Sequence, residues 1–319
     1  MIMLEHTFET FCVLTEKELK KGIPIMLRKV GYKPVIAKKY IYAEGNIPIA
    51  LVAHMDIVKQ EPPKKLYYDQ KKRVMWAGGH ILGADDRAGV AAIWEIIKDK
   101  SYKPHLIFTC EEETGAAGAI AVSNIDMPFY DLKYIIELDR QGKEDCVFYE
   151  CDNPEFTDYV SDFGFVPDWG TFTDISVICP AWGVAGVNLS VGYQNEHTNY
   201  EMLDFNHLEL TIDRVKHMLD KANEAPRFKF IQSAYPLYYR HYTYASSEEE
   251  CSFCGKKDKH MEDILLSNRV IALACPECLA RHKEIKRCNF CGEYFLAQDK
   301  NQTICSECQE DYMYVGGQW

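Results

Sequence analysis

The stretch IPIALVAHMDIV, residues 47–58, is a nearly continuous apolar run that contains a histidine and an aspartate near its end. Such a run is typical of a strand buried on both faces of a parallel sheet. His54 and Asp56 stand where this strand is expected to end. In open α/β sheets, ligands bind just beyond the carboxyl ends of the strands, so these two side chains are predicted to face a site.

Strands and helices are predicted to alternate on both sides of this stretch. Helical spacing marks residues 16–32, 85–100 and 206–225, a hairpin is indicated over 64–77, and further buried strands over 105–112, 133–139 and 184–193. This alternation predicts an α/β fold, a three-layer sandwich with a mostly parallel sheet. The predicted domain spans residues 1–235.

Histidines and carboxylates recur at the predicted strand ends and at the start of one helix. They are His54, Asp56, Asp85, Asp86, Glu111, Glu112, Glu113, Asp139 and His197. Such a set suits a pair of divalent ions, each with one position left for water. The two oxygens of Asp85 could bridge both ions, whose charge would offset the repulsion between the adjacent Asp85 and Asp86. Asp86 is then expected to shape the turn and not to bind metal.

Five segments in this order, HMD, GADDRAG, EETG, LD and EHTNYE, resemble the clan of co-catalytic two-metal metallopeptidases with a zinc aminopeptidase fold. That clan includes aminopeptidases, a tripeptidase, carboxypeptidases and deacylases. The resemblance covers residues from about 5 to 225 and nothing beyond.

The resemblance implies a role for each matching position. His54, Asp85 and Asp139 would hold one metal, and Asp85, Glu113 and His197 the other. Asp56 would fix the tautomer of His54. Glu112 would be the general base that activates a metal-bridging water. Gly115 sets this register in the run of three glutamates, because the family motif is Glu-Glu-x-Gly, and Glu111 is then expected to point away.

Several alternatives stay open at this stage. Glu137 points the same way as Asp139 on a strand and could replace it, but Asp139 lies nearer the strand end. His207 is a weaker alternative to His197, because it stands at the start of the last helix. Asp174, in the segment TDIS, is a further candidate for the pocket lining. A structural role is expected for three other histidines, His80, His105 and His217.

The sequence also bears on which end of a peptide is attacked. Residues 140–196 are predicted to form strands and turns, and they are too few for the lid domain that many relatives insert. This favours an aminopeptidase over a dipeptidase or carboxypeptidase. Arg140 is the better candidate for binding a substrate carboxylate, whereas Arg87 is expected to pair with a neighbouring carboxylate.

The charge of the chain limits its partners. Its formal net charge is −12, so general binding to nucleic acid or to an anionic membrane is not predicted. We find no apolar run of the roughly 18 residues that a membrane span needs, and no signal peptide at the amino terminus. A cytoplasmic location is the expectation.

Cysteines are concentrated near the carboxyl terminus. Eight of the 13 cysteines form four Cys-x-x-Cys pairs, namely Cys251 with Cys254, Cys275 with Cys278, Cys288 with Cys291, and Cys305 with Cys308. Glycine follows the first and third pairs, where it permits the positive φ of a zinc knuckle. This spacing predicts two successive four-cysteine sites for structural zinc, with cross-braced pairing as the alternative.

The predicted zinc-ribbon module spans residues 251–319, after a tyrosine-rich connector, residues 236–250, that is expected to pack on the first domain. The module contains 9 lysines and arginines against 10 aspartates and glutamates. This balance favours a structural role or a protein partner over nucleic acid.

The leading hypothesis is thus a two-metal aminopeptidase that acts on peptides. Zinc, cobalt and manganese all suit its catalytic ligands. The alternatives are an N-acyl amino acid deacylase, a di- or tripeptidase or a carboxypeptidase of the same clan, and an adaptor with an inactive hydrolase domain. The complete ligand set argues against the adaptor.

Overall fold

A computed structural model describes residues 3–59, 61–233, 249–258, 262–265, 271–289, 294–297 and 299–305. The chain divides into two compact units, Met1–His241 and Tyr242–Trp319. Residues 234–248, most of the tyrosine-rich connector, lie outside the described residues. The expected packing of this connector and the exact domain boundary therefore stay predictions.

The first unit contains seven helices and twelve strands among its described residues. The helices are α1 (Met3–Cys12), α2 (Glu16–Lys29), α3 (Ala84–Ile97), α4 (Ala117–Ser123), α5 (Pro154–Ser161), α6 (Asp174–Trp182) and α7 (Phe205–Asp220). The strands are β1 (Val35–Ile36), β2 (Tyr40–Ala43), β3 (Ile47–His54), β4 (Leu66–Asp69), β5 (Val74–Ala77), β6 (Pro104–Thr109), β7 (Tyr134–Arg140), β8 (Asp145–Val147), β9 (Val166–Pro167), β10 (Gly186–Ser190), β11 (Tyr193–Gln194) and β12 (Met202–Asp204).

Eight of these strands form one mixed sheet in the order β1-β2-β6-β3-β7-β10-β8-β9. The four central strands, β6, β3, β7 and β10, run parallel to one another. Their carboxyl ends therefore meet at one edge of the sheet, where the predicted ligands lie. The predicted α/β class with a mostly parallel sheet is confirmed.

Helices cover both faces of this sheet, as the alternation of buried side chains in β3 shows. Ile49, Leu51 and Ala53 belong to a core cluster that also includes residues of α1, α2, α3 and α7. Ala50 and Val52 belong to a second cluster, with residues of α4 and α6. Successive side chains of a strand point to opposite faces, so β3 is buried on both, and this unit has three layers.

The second sheet of this unit has four strands, in the order β11-β12-β5-β4. Its β4 and β5 are antiparallel and form the hairpin predicted for residues 64–77. Strands β11 and β12 are also antiparallel, and the segment that joins them carries His197. The second sheet therefore supports one of the proposed ligands from outside the central sheet.

The prediction of only strands and turns between Asp139 and His197 is wrong, because α5 and α6 lie in this range. Asn153 caps α5 by accepting a hydrogen bond from the Phe156 amide, and Pro154 begins the helix. Helix α6 contains Pro180 and several β-branched residues, which have low helix propensity. Its packing on α4, β7 and β10 overrides that local preference.

The second unit contains one short helix and six strands within its described residues. These are β13 (Glu249–Glu250), β14 (Lys257–Asp258), β15 (Glu262–Leu265), β16 (Ile271–Ala274), α8 (Pro276–Arg281), β17 (Ile285–Arg287) and β18 (Tyr294–Leu296). Four of the strands form a sheet in the order β16-β15-β18-β17. Across the described part of the chain, none of the helices has the length and apolar character needed to cross a bilayer.

Candidate active site

Asp85 lies at the centre of the site, between two histidines. Its Oδ1 is 3.0 Å from Nε2 of His54, and its Oδ2 is 3.1 Å from Nε2 of His197. Each oxygen of one carboxylate thus faces a different imidazole. This is the arrangement that a bridging ligand between two ions requires.

His54 ends β3 and is fully buried. Its Nδ1 faces Oδ1 of Asp56 at 3.3 Å, while its Nε2 lies 3.7 Å from Oδ1 of Asp139. Asp56 is held in turn by the backbone amides of Glu112 and Glu113, which donate to its two oxygens at 3.1 Å each. Asp56 therefore links the histidine at the end of β3 to the acidic turn after β6.

Asp86 has a different role from Asp85. Its two oxygens accept hydrogen bonds from the backbone amides of His54 and Gly89, at 3.1 and 2.9 Å. The Gly89 bond caps the helical turns of α3, while both aspartates have non-helical backbone angles, and the peptide bond between them is cis. Oxygens of Asp86 also lie near His54 and Asp139, but both are already engaged by amides, so Asp85 is the better ligand.

The third part of the site is the pair formed by Glu113 and His197. His197 Nε2 lies 3.0 Å from Oε2 of Glu113. The backbone of His197 has φ +62°, in the left-handed region. Burial alone would lower the pKa of His197, but the hydrogen bonds that its ring donates to Asp85 and Glu113 raise this pKa to about 11.

Asp139 lies opposite this pair and is oriented by three neighbours. The hydroxyl groups of Tyr193 and Thr173 donate to its two oxygens, at 3.2 Å each. The Asn188 side chain accepts from the Asp139 amide at 2.9 Å and donates to the Asp139 carbonyl at 2.8 Å. Asp139 is thus fixed at both its backbone and its carboxylate.

The structure separates Asp139 from the alternative ligand Glu137. Glu137 is fully buried, and its Oε2 accepts from the backbone amide of Ile175 in α6 at 3.5 Å, while Oε1 has no hydrogen-bond partner among the described residues. Of the two, only Asp139 comes within ligand spacing of His54 in a three-residue cluster of the described chain. Asp174 is also buried and accepts a hydrogen bond from Thr109.

Glu112 lines a cleft of about 610 Å³ that opens over these residues. The lining comprises Asp85, Glu112, Glu113, Asp139, Arg140, Gln141, Tyr149, Gly170, Thr171, Phe172, Thr173, Tyr193, Glu196 and His197. Glu112 therefore stands beside the proposed ligands and faces the space that a substrate would fill. Glu111, the first of the three glutamates, turns to an ion pair with Lys39 at 2.7 Å.

The acidic groups here are too crowded to carry full negative charge without a cation. Burial raises the pKa of Glu112 to about 9 and that of Asp139 to about 7, and neighbouring carboxylates contribute to both shifts. Oxygens of Asp85 and Glu113 and a nitrogen of His54 lie within 4.8 Å of one another. Nitrogen and oxygen donors at this spacing fit divalent ions of the zinc type.

Glu201 is a supporting residue whose function the sequence did not assign. It is fully buried, and its two oxygens accept hydrogen bonds from the amides of Gly83 and Asp85, at 2.8 and 3.1 Å. The signal was available, because an acidic residue four positions after His197 belongs to the matched segment EHTNYE. Asn188, Tyr193 and Thr173 had no comparable signal, since each acts only through contacts made in the folded chain.

The two arginines near the motifs differ in position. Arg140 lines the cleft, and its Nη2 lies 2.6 Å from Oδ2 of Asp168. Arg87 is fully buried, and the hydrogen bond that the structure gives it goes to the Leu14 carbonyl at 3.0 Å. Among the residues that the structure describes, Arg87 therefore does not form the expected ion pair with a carboxylate, and its guanidinium points towards the turn between α1 and α2.

The other histidines expected to be structural, and His207, lie apart from this cluster. His105 stacks on Phe129 at 4.3 Å and lies 3.0 Å from Asp131. His207 is in α7, 3.8 Å from Asp204, and His217 packs on Phe163 from the same helix. His80 contacts the carbonyl of Ile81.

A second cluster, in the C-terminal unit, consists of four cysteines. Sulfur atoms of Cys251, Cys254, Cys275 and Cys278 lie within 4.8 Å of one another. Burial raises the pKa of Cys251. Hydrogen bonds from backbone amides, that of Cys275 first among them, outweigh burial and lower this pKa to about 6. Gly255 has φ +71°, so the positive φ predicted after the first pair is confirmed. This donor set fits structural zinc.

The second pair of cysteine motifs is described only in part, since Cys291 and Cys308 lie outside the described residues. The Cys305 amide donates to Cys288 Sγ at 3.4 Å, as the Cys275 amide does to Cys251 Sγ at 3.4 Å. This equivalence, together with the cluster of the first four cysteines, supports successive pairing over the cross-braced alternative.

Comparisons with known proteins agree with this geometry. The model of Peptidase family M20/M25/M40 matches residues 50–153. This range contains His54, Asp56, Asp85, Glu112, Glu113 and Asp139. No curated protein matches the chain.

Solved structures show the same fold at low sequence identity. Aminopeptidase PepT from Bacillus cereus is 16% identical with a TM-score of 0.57, covering 69% of this chain and 98% of that one. A tripeptidase from Staphylococcus aureus is 14% identical, also with a TM-score of 0.57, over 70% and 98% of the two chains. The TET1 peptidase from Pyrococcus horikoshii is 16% identical, with a TM-score of 0.51, over 68% and 99%. The resemblance stated from the sequence is thereby confirmed: the first unit has the fold of these aminopeptidase and tripeptidase structures, and residues 50–153 match Peptidase family M20/M25/M40.

Proposed function

We propose that this protein is a two-metal peptidase, and specifically an aminopeptidase. The fold is that of metal-dependent peptidases. The observation that carries the proposal is the position of Asp85, with one oxygen 3.0 Å from His54 and the other 3.1 Å from His197. One carboxylate between two imidazoles, beside further carboxylates, is a pattern that two adjacent divalent ions explain.

Five residues would hold these ions. His54, Asp85 and Asp139 would bind one, and Asp85, Glu113 and His197 the other. When bound, such ions lower the pKa of water and polarise the scissile carbonyl, and zinc, cobalt or manganese could supply this chemistry. The contact with Asp56, at 3.3 Å from Nδ1, would orient His54 so that its Nε2 stays free for the metal.

Glu112 would act as the general base. It lines the cleft next to Asp85 and Asp139, and burial raises its pKa to about 9 in the metal-free protein. The positive charge of two ions would lower this pKa towards the range in which a carboxylate accepts a proton from water. Glu112 would then pass this proton to the amine that leaves.

The charge of the cleft favours a substrate with a free amino group. Asp85, Glu112, Glu113, Asp139 and Glu196 all contribute to its lining. Two divalent ions would offset the charge of Asp85, Glu113 and Asp139. A substrate ammonium group would then be attracted by Glu112 and Glu196, whereas an acylated amine gains nothing from them. This supports an aminopeptidase over an N-acyl amino acid deacylase.

Two structural zinc ions would belong to the C-terminal unit. Cys251, Cys254, Cys275 and Cys278 would bind one, and Cys288, Cys291, Cys305 and Cys308 the other. Metal would replace a hydrophobic core that is too small to fold alone. A protein partner for this module remains a prediction from its near-neutral charge.

The experiment that tests the proposed function is a substrate panel. Purified protein loaded with zinc, cobalt or manganese is assayed on aminoacyl amides, N-acyl amino acids and peptides blocked at either end. Hydrolysis of aminoacyl amides that depends on added metal supports the proposal. Hydrolysis restricted to N-acyl amino acids assigns a deacylase, and no hydrolysis with both sites loaded assigns a binding role.

A further inference from the structure

Arg140 is an unusual member of the lining of the cleft. Within the described lining, five side chains are acidic and Arg140 is the one that carries a permanent positive charge. It directly follows the proposed ligand Asp139 at the end of β7. A permanent cation is thus placed next to the reaction centre.

The hydrogen-bonding capacity of Arg140 is largely unused. A guanidinium has five N–H donors. The hydrogen bond that the structure gives Arg140 goes from Nη2 to Oδ2 of Asp168 at 2.6 Å, and its buried Nε has no partner among the described residues. Donors on the Nη atoms can therefore take an acceptor from a ligand.

The partner of Arg140 is easily displaced. The side chain of Asp168 is 42% exposed, against 20% for Arg140, so water can take over its solvation when the ion pair opens. Exposed ion pairs contribute little to stability. A substrate carboxylate that binds Arg140 end-on, through Nη1 and Nη2, would gain a bidentate contact that the observed ion pair lacks.

The chain after Asp168 leaves room for the guanidinium. A Cβ atom on Gly170 would lie 3.1 Å from Cγ1 of Val147, 3.3 Å from Cε1 of Tyr149 and 3.6 Å from Nη1 of Arg140. Glycine at this position therefore lets the backbone approach the wall of the cleft beside Arg140. A side chain at this position would crowd Val147 and Tyr149, which form the wall beside the guanidinium.

We infer that Arg140 binds a carboxylate of the substrate close to the scissile bond, in exchange for Asp168, so that the enzyme prefers anionic substrates. This inference rests on the proposed function. Because Arg140 is adjacent to Asp139, the carboxylate must lie within about two residues of the bond, at roughly 3.3–3.6 Å per residue. Its source is either an acidic side chain of the first residue or the terminal carboxylate of a peptide of two or three residues.

Arg140 would also offset the lining acids that are not proposed ligands. Glu112 and Glu196, which attract a substrate amine, oppose a substrate carboxylate by the same field. With the guanidinium of Arg140 in the lining, the cleft could bind an amine and a carboxylate of one substrate at different places. The amine would be drawn to the acidic end and the carboxylate to Arg140.

The test compares pairs of substrates that differ only in one charge. One pair is the p-nitroanilides of glutamate and glutamine, and the other is trialanine and its carboxyl-terminal amide. For each pair, the ratio of kcat/KM for the anionic to the neutral member is measured. The first pair reports an acidic side chain and the second a terminal carboxylate.

Three variants are compared with the native protein. Arg140→Met should lower the ratio for one of the pairs by about ten- to one hundred-fold, because a buried charge partner is removed. Asp168→Asn should raise the same ratio, since the competing carboxylate is gone. Arg214→Met is the matched control, because Arg214 is also paired with a carboxylate, Glu144 at 3.5 Å, and lies outside the lining of the cleft. It should leave both ratios unchanged.

Ratios of kcat/KM that are unchanged in Arg140→Met overturn the inference, even if the overall rate falls. A residue that only fixes the segment around Asp168 would affect both members of a pair equally. In that case hydrolysis by the native protein still supports the proposed function. If the native protein hydrolyses none of the four, the panel of aminoacyl amides decides the proposed function. Calorimetric binding of glutamate against glutamine, to native protein and to Arg140→Met, then decides the inference alone.

Discussion

At the scale of the residue, the site depends on carboxylates that look alike in sequence and differ in what surrounds them. Asp85 and Asp86 are adjacent, yet Asp85 faces two imidazoles while Asp86 accepts two backbone amides. Hydrogen bonds to His197 and His54 hold the pKa of Asp85 below its usual range despite burial, whereas burial raises that of Asp86 well above it. The contacts, two imidazoles for Asp85 and two backbone amides for Asp86, separate a residue that can bind cations from one that shapes a turn.

The register of the three glutamates gives a prediction at this scale. Glu112→Gln should retain both catalytic metals and lose about 100-fold to 10,000-fold in turnover, because a general base typically contributes that much. Glu113→Gln should weaken one metal, because Glu113 contacts His197 at 3.0 Å. Metal content by elemental analysis and kcat on an aminoacyl amide check both variants.

Glu111→Gln is the control, because Glu111 pairs with Lys39 at the surface and should affect neither metal content nor turnover strongly. If Glu112→Gln lost metal while Glu113→Gln kept it, the register would be displaced by one residue. The metal site itself would be unaffected by that correction.

At the scale of the element, the sequence was informative where a strand is buried on both faces. The apolar runs that became β3, β6, β7 and β10 end at the residues of the site, so the position of the site could be predicted from them. Helices α5 and α6 were missed, because α5 has only eight residues and α6 contains a proline. Contacts such as those of Asn188 with Asp139 join different strands and leave no local pattern in the sequence.

Glu201 gives a prediction about how elements are joined. It lies just before β12 and holds the turn before α3 through the amides of Gly83 and Asp85. In Glu201→Gln an amide NH₂ replaces one acceptor, so one of these hydrogen bonds is lost at a cost of about 1.5–3 kcal/mol. The position of Asp85 would relax, and catalytic metal affinity should fall by about ten-fold or more.

Calorimetric titration with metal measures the change in affinity. Thermal unfolding of the protein after chelation of its catalytic metals shows whether the fold persists. Glu224→Gln is the control, because Glu224 is 71% exposed and pairs with Lys221 in the same turn. An unchanged affinity in Glu201→Gln would mean that Asp85 is held by its histidines alone.

At the scale of the whole molecule, the two kinds of metal site differ in their donors. The catalytic residues offer imidazole and carboxylate, while the C-terminal unit offers thiolates, which hold zinc more tightly. Two catalytic and two structural ions predict four per chain in carefully purified protein. Mild chelation should remove the catalytic pair first and leave two.

Replacing cysteines then assigns the structural ions. Cys288→Ser together with Cys291→Ser should lower the metal content by one, as should Cys251→Ser with Cys254→Ser. A content of two in the native protein, with none lost on replacing Cys288 and Cys291, would rule out the second structural site. Elemental analysis of the intact chain provides both readings.

The last prediction concerns the end of the peptide at which the enzyme acts, which depends on the charge of the whole cleft. Glu112 and Glu196, the acids of the lining that are not proposed ligands, favour a substrate ammonium group, so peptides of five or more residues with a free amino terminus should be cleaved. Acetylating that amine removes the charge and should abolish cleavage. Amidating the far carboxyl terminus should change kcat/KM by less than about three-fold, because that group lies beyond the reach of Arg140.

Mass spectrometry, which detects whether the first or the last amino acid is released, distinguishes the two ends. Cleavage that survives acetylation and is lost on amidation would make the enzyme a carboxypeptidase with the same metal centre.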